Sequence, residues 1–226
     1  MPSTRRSYEK LNYNFIRDIA PVAGFVRGPL ILVVNSSFPA KTVSEFIAYA
    51  KANPDKINMA SAGIGTGTHL AGELFKTMAG ISIVHVPYRS TGPALTDLIG
   101  GQVQVMFAGP LEAIEYIRTG KLRALALGTA TRSDVLPDVP TLSEFLPGYE
   151  AGAWYGFGAP KNTSVQIVEK LNMEVNATLA DLKMKARLAE FGNAMLLGTP
   201  SDFGKLIADE TEKWAKVIRA ANIRAE

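Results

Sequence analysis

The sequence contains no cysteine and only two histidines, His69 and His85. Without cysteine there is no disulfide framework, no thiolate metal site and no thiol nucleophile. Metal sites want several His, Asp or Glu at fixed spacings, and no such set occurs, so no metal site is predicted. Neither sign of charge dominates: 24 Lys and Arg stand against 21 Asp and Glu, scattered along the chain, with one short basic spot at Arg5-Arg6. A nucleic-acid footprint needs a basic stripe or an aromatic stacking platform, and neither is present. No apolar run approaches the length of a membrane span. The opening Met-Pro-Ser-Thr-Arg-Arg-Ser has no apolar core behind it, so no secretory signal is predicted, and the chain as written is expected to stay in the cytoplasm.

What is present is a globular composition over 226 residues, 47% apolar and 20% charged. That length can bury a real core in one large domain or two small lobes. Residues 12–27 read as an irregular lead-in. Leu30 to Val34 is a fully apolar run ending at Asn35-Ser36-Ser37, the pattern of a buried strand. Thr42 with Glu45 forms a capping-box pattern, so a helix starts there and stops near Asn53-Pro54. Strands at 57–61, 81–86, 103–107 and 122–127 then alternate with helices. These helices open after the turn 62–67, at Ser90-Thr91-Gly92-Pro93 and at Pro110, and close at Gly80, Gly100-Gly101 and Gly120. Connections this short imply parallel βαβ units, so residues 28–127 are expected to form one compact α/β lobe. After a turn-rich stretch from Asp134 to Gly148, a strand is expected at 153–159. Helices are expected at 164–191, with a possible break, and at 201–221.

The chemistry-bearing pattern is the turn Ala62-Gly63-Ile64-Gly65-Thr66-Gly67. It fails as a dinucleotide fingerprint, because Thr68 stands where the third glycine is needed and no acidic residue follows about twenty residues on. It does place small residues and hydroxyls, from Ser61, Thr66 and Thr68, around a helix start. The first N–H groups of a helix lack intrahelical partners and lie at the positive end of its dipole, so this is an anion-binding pattern. Ordinary helix capping would explain one such turn. Ser90-Thr91-Gly92 and Gly109-Pro110 repeat it, and parallel strands would align all three on the sheet edge where open α/β sheets bind ligands. There is no G-x-S-x-G elbow and no Walker phosphate loop. His85, inside an apolar strand, reads as a core histidine, and nothing argues for a Ser-His-Asp triad. The prediction is binding of an anion, a carboxylate or a phosphate, without catalysis, cofactor or metal.

The run Ala60-Ser61-Ala62-Gly63-Ile64-Gly65-Thr66-Gly67-Thr68-His69-Leu70-Ala71-Gly72-Glu73-Leu74-Phe75 closely resembles the signature of the substrate-binding proteins of tripartite tricarboxylate transporters, the Bordetella uptake gene (Bug) family. So do His85-Val86-Pro87-Tyr88-Arg89, Ala94 to Leu98, Gly120 to Leu125, Leu136 to Thr141 with Glu144, and Trp214 to Val217, in order from about residue 8 onward. The resemblance implies an α/β, type II periplasmic binding-protein fold of two lobes with parallel-rich sheets. Residues 28–127 would be the second lobe, and 1–27 with 128–226 an incomplete first lobe plus hinge. It implies a periplasmic receptor that hands a small organic carboxylate to membrane permease subunits and is usually monomeric. The substrate-binding positions it points to are Ser61, Gly65, Thr66, Gly67, Thr68, His69, Ser90, Thr91 and Ala108.

Three departures from the family pattern carry expectations. Ala108 stands where the family usually has Asp, so an amino acid's ammonium would lack its partner and a carboxylate without an amino group is expected. Ser90 stands where Gly is frequent and adds a hydroxyl. The family's first strands and helices are absent, so the first-lobe remnant is expected to be loosened and to favour self-association through unpaired edges and exposed apolar area. Two other readings remain: a truncated family fragment that binds nothing, and a small-molecule enzyme on an α/β scaffold.

Overall fold

The computed structural model describes residues 13–223. Arg5-Arg6 and the part of the expected first-lobe remnant within 1–12 lie outside the described residues. The rest falls into two compact units: Pro29–Ala153, and the residues up to Gly28 together with those from Trp154 onward.

The Pro29–Ala153 unit is a five-stranded sheet. Its strands are β2 (Ile31–Asn35), β3 (Asn58–Ser61), β4 (Val84–Pro87), β5 (Val105–Ala108) and β6 (Leu122–Leu127), in the order β4-β3-β5-β2-β6. Four helices connect them: α2 (Val43–Ala52), α3 (Gly67–Ala79), α4 (Thr91–Ile99) and α5 (Pro110–Arg118). The local signals hold. Thr42 Oγ1 accepts the Glu45 N–H at 3.2 Å to start α2. Gly80 closes α3 in the left-handed region, at φ 61°, where glycine carries no Cβ penalty. β3 runs parallel to both β4 and β5.

One expectation fails. β2 is antiparallel to both β5 and β6. An apolar run covered on both faces carries no mark of its direction, so the reading as all-parallel units could not detect this. The turns that follow β3, β4 and β5 still share one edge, while the loop after β2 lies at the opposite one.

Side chains alternate across the sheet. Met106 and Ala108 join Ile31, Ala94, Leu98 and Ala113 in one apolar cluster. Phe107 points the other way, into an aromatic chain through Phe75 (5.9 Å between ring centroids) to Phe46 and Phe38.

This unit extends past 127, where the turn-rich composition predicts a boundary. The stretch to 153 is bound to it by backbone and side chain. Leu127 N donates to Pro140 O at 2.8 Å, Ala151 N to Gly128 O at 2.7 Å, and Tyr149, 1% exposed, packs among Phe75 and Phe107. Proline and glycine density marks turns, and turns can be buried.

The other unit holds α1 (Phe15–Asp18), β1 (Ile19–Pro29), β7 (Gly152–Pro160), α6 (Val165–Ala180), α7 (Leu182–Ala189), β8 (Ala194–Met195) and α8 (Pro200–Ala220), with strand order β7-β1-β8. The expected helix 164–191 is broken at Asp181, whose carboxylate accepts the Lys183 and Met184 N–H groups at 3.0 Å each. The lead-in expected to be irregular is the long strand β1. Pro21, Gly24 and Gly28 disguise it, because these residues ordinarily argue against a strand. Tertiary packing supplies the reason for glycine in this sheet. On β7, a Cβ at Gly156 would lie 2.2 Å from Phe203 Cζ and 2.6 Å from Ala23 O. Gly156→Ala is therefore expected to destabilise the protein by about 1–3 kcal/mol. Denaturant unfolding measures this, and an unchanged midpoint would show that α8 does not sit against β7 in this way. Val165, Ile167, Leu171 and Met173 on α6, and Tyr155 and Phe157 on β7, are exposed.

Candidate functional site

The edge where β3, β4 and β5 end gathers the starts of α3, α4 and α5. The β3–α3 turn is the most constrained of the three. Gly63 (φ 128°) and Gly65 (φ 74°) occupy conformations that L side chains rarely adopt, which is why glycine stands at both. The hydroxyls fasten the turn from within. Thr68 Oγ1 accepts the Ala62 N–H at 2.9 Å, and Thr66 Oγ1 donates to Gly63 O at 2.7 Å. Because that donation uses the Thr66 proton, Thr68 is the donor in the 3.0 Å contact between the two hydroxyls. Both hydroxyl protons are thus engaged inside the turn. The expectation that Thr66 and Thr68 present hydroxyl donors gives way to one in which they shape the backbone, and the N–H groups of Gly67 and Thr68 are the donors presented.

Thr66, the N-cap of α3, makes no side-chain cap, nor does Ser90 for α4 or Gly109 for α5. By contrast, the side chains of Thr42, Asp181 and Thr199 cap α2, α7 and α8. Ser164 likewise leaves α6 uncapped, so a missing cap is not by itself diagnostic. Charge separates the three starts further. α5 carries Glu112 in its first turn, and a Cβ at Gly109 would meet that carboxylate at 2.5 Å, whereas α3 and α4 have no acid there. A resident carboxylate satisfies the α5 dipole and repels a second anion. The three expected starts therefore reduce to two. α3 offers Gly67, Thr68 and His69 N–H; α4 offers Thr91 and Gly92 N–H, because Pro93 has none.

Three predicted site residues are placed beneath the turns. Ser61 is wholly buried, accepts the Gly63 N–H at 3.1 Å and lies 2.6 Å from His85 Nε2. His69, 4% exposed, accepts the Gly65 N–H on Nδ1 at 3.0 Å. Ala108 is wholly buried in the apolar cluster under α4 and α5. Gly65 is buried, Gly67 and Ser90 are exposed, and Thr66, Thr68 and Thr91 are half-buried. Tyr88 secures the second turn: its N–H donates to Ser61 O at 3.0 Å and its hydroxyl to Asp97 at 2.7 Å. Burial first, and the Asp97 carboxylate second, push the Tyr88 phenol up to about 12.

The sequence reading of His85 as a satisfied core histidine is met by its contact with Ser61, but the ring is not fully in the core. It is half-buried and stacked on His69, with ring centroids 3.7 Å apart and planes 8° from parallel. Burial, and next the neighbouring His69, lower the His85 pKa from 6.5 to about 4. Glu73 reaches the same group. Burial raises its pKa, but the nearby His69 and the hydrogen bond from Lys76 outweigh that and leave it lowered. The unfolded chain takes up the His85 proton near pH 6.5 and the folded chain only near 4. The neutral ring's stabilisation is therefore complete above 6.5 and lost as pH falls through that window. Between pH 7 and 5, wild type is expected to lose about 1 kcal/mol more stability than His85→Gln, a figure discounted because the ring is partly solvated. Parallel pH–stability curves for the two proteins would contradict this.

The Ser61–His85 pair does not make a nucleophile. Ser61 is shut off from solvent, and the acid in this network, Glu73, faces His69 instead. Among the described residues no group of three or more His, Cys, Asp or Glu could hold a metal ion, and no helix is long and apolar enough to cross a membrane.

The sequence profile of the tripartite tricarboxylate transporter family receptor matches residues 2–223. A UPF0065 protein from the tcbD-tcbE intergenic region of Pseudomonas sp. (strain P51) is 36% identical over 213 residues, and BugT of Bordetella pertussis is 35% identical over 208. These alignments cover 93% and 92% of this chain but 63% and 64% of those relatives, so the chain spans a little under two thirds of their length. Among solved structures, an R. palustris protein with adipate superposes with a TM-score of 0.91 at 34% identity, over 97% of this chain and 74% of that one. The periplasmic binding protein BugD gives 0.91 at 31% identity, over 100% and 76%. MatC from Rhodopseudomonas palustris with bound malate gives 0.86 at 33%, over 96% and 75%.

Proposed function

Because the chain belongs to the tripartite tricarboxylate transporter receptor family, we propose that it is a periplasmic solute-binding receptor that captures a small organic carboxylate and passes it to the transporter's membrane permease subunits. The observation that carries this reading is the pair of neighbouring helix starts, α3 and α4. Both lie at the edge where parallel strands end, both lack a side-chain cap, and neither has an acid in its first turn. N–H groups so arranged hold an anion with no chemistry to perform on it. At α3 the Thr66 and Thr68 hydroxyls are already committed within the turn, so its N–H donors are set before a ligand arrives, which lowers the ordering cost of binding. Solved relatives with adipate and with malate support the ligand class.

The ligand is a carboxylate without an amino group. Ala108 offers an ammonium nothing, and Glu112, exposed at the start of α5, is already drawn to its own helix dipole. Calorimetric titration of malate, succinate, adipate and benzoate against aspartate and glutamate tests both parts. Heat without turnover is expected for members of the first group, with aspartate at least about tenfold weaker than succinate, or 1.4 kcal/mol. Tighter binding of aspartate would make Glu112 an ammonium partner and sink the assignment of ligand class. No heat from any carboxylate would sink the receptor reading.

A further inference from the structure

Building on the β3–α3 turn as the carboxylate grip, we propose that His69 and His85 are a stacked positioning pair that holds the two ends of this turn and sets its donors without touching the ligand. Two of the turn's backbone N–H groups, at Gly63 and Gly65, belong to glycines with positive φ. One is received by His69 itself, and the other by Ser61, the hydroxyl that His85 contacts. Gly65 N–H donates to His69 Nδ1 at 3.0 Å. Gly63 N–H donates at 3.1 Å to Ser61 Oγ, which His85 Nε2 holds from 2.6 Å. The rings come from different elements, α3 and β4, and meet face to face at 3.7 Å as one slab beneath the turn.

The two rings act through different atoms. Because His69 Nδ1 accepts, its neutral ring carries hydrogen on Nε2, and that nitrogen faces Glu73 Oε1 at 3.6 Å. Lys76 Nζ holds the same carboxylate oxygen at 2.8 Å. The Glu73 carboxylate, held by Lys76, thus favours a hydrogen on Nε2, which leaves Nδ1 to receive Gly65. His85 acts through Nε2, the nitrogen farther from its backbone. A filler of space would use neither distinction.

Asn and Gln separate the two roles, because an Asn amide reaches the place of Nδ1 and a Gln amide that of Nε2. In the ligand-free protein, long-range nitrogen–proton NMR is expected to find His69 as the Nε2–H tautomer. Gly65 amide exchange should stay within about threefold of wild type in His69→Asn and quicken at least tenfold in His69→Gln. Titrated with adipate and with malate, His69→Asn and His85→Gln should keep affinity within about threefold, and His69→Gln and His85→Asn should lose tenfold or more. If Asn and Gln behave alike at each position, in exchange and in affinity, the pair is only packing and the proposal is overturned. If wild type binds neither acid, the receptor reading fails, while the exchange measurements still decide the pair.

Discussion

Replacing Tyr149 by alanine is expected to cost about 3–5 kcal/mol, the range for deleting a buried aromatic ring and leaving a cavity. That is a fall in melting temperature of roughly 10 °C for a chain of this size. Tyr149 is the largest of the fully buried side chains. Its ring lies 6.2 Å from Phe107 and 6.4 Å from Phe75, measured between centroids. Those contacts bind the 128–153 stretch to the five-stranded unit, so the loss would reach beyond one residue. Tyr149→Phe divides the effect. The hydroxyl donates to Ala71 O at 2.9 Å, a helical carbonyl with a second lone pair, so its removal leaves no buried acceptor orphaned and should cost only about 1 kcal/mol. Equilibrium denaturation of the two variants makes the comparison. A loss below about 1 kcal/mol for the alanine variant would mean that the stretch does not close over this face of the sheet.

Gly67→Phe is expected to weaken carboxylate binding at least about a hundredfold, because a ring over the α3 start would block several charge-assisted hydrogen bonds of about 1.5–3 kcal/mol each. The substitution should leave the fold intact. Gly67 is exposed, no protein atom lies within 4 Å of an added Cβ, and its φ is not positive. Gly67→Ala is the control: alanine favours the helix and adds only a methyl group. Gly92→Phe, equally open in space, asks the same of α4. Calorimetry reads affinity, and a thermal melt shows that each variant is folded. Full affinity in Gly67→Phe would move the anion away from α3, and a loss confined to Gly92→Phe would move it to α4.

The sequence by itself determined the features that depend on near neighbours along the chain. The capped helix start at Thr42, the proline-opened start of α5, the left-handed closure at Gly80, and the positive-φ glycines of the β3–α3 turn all follow from local capping and backbone preference. The sharing of one edge by three helix starts was expected from the same short connections that misread β2, and it holds because β3, β4 and β5 pair in parallel. Tertiary structure alone decided what depends on distant residues. The direction of β2 was hidden because a strand buried on both faces is apolar whichever way it runs. β1 was hidden because its glycines answer to Leu196 and Asn193, far along the chain. Within the site, a hydroxyl or imidazole near a glycine turn looks the same in sequence whether it points out at a ligand or in at the backbone. Folding brings β4 beside β3, which puts His85 against Ser61 and His69. These contacts engage Ser61 and His69 with His85 and with the turn backbone, which no spacing in the sequence announces.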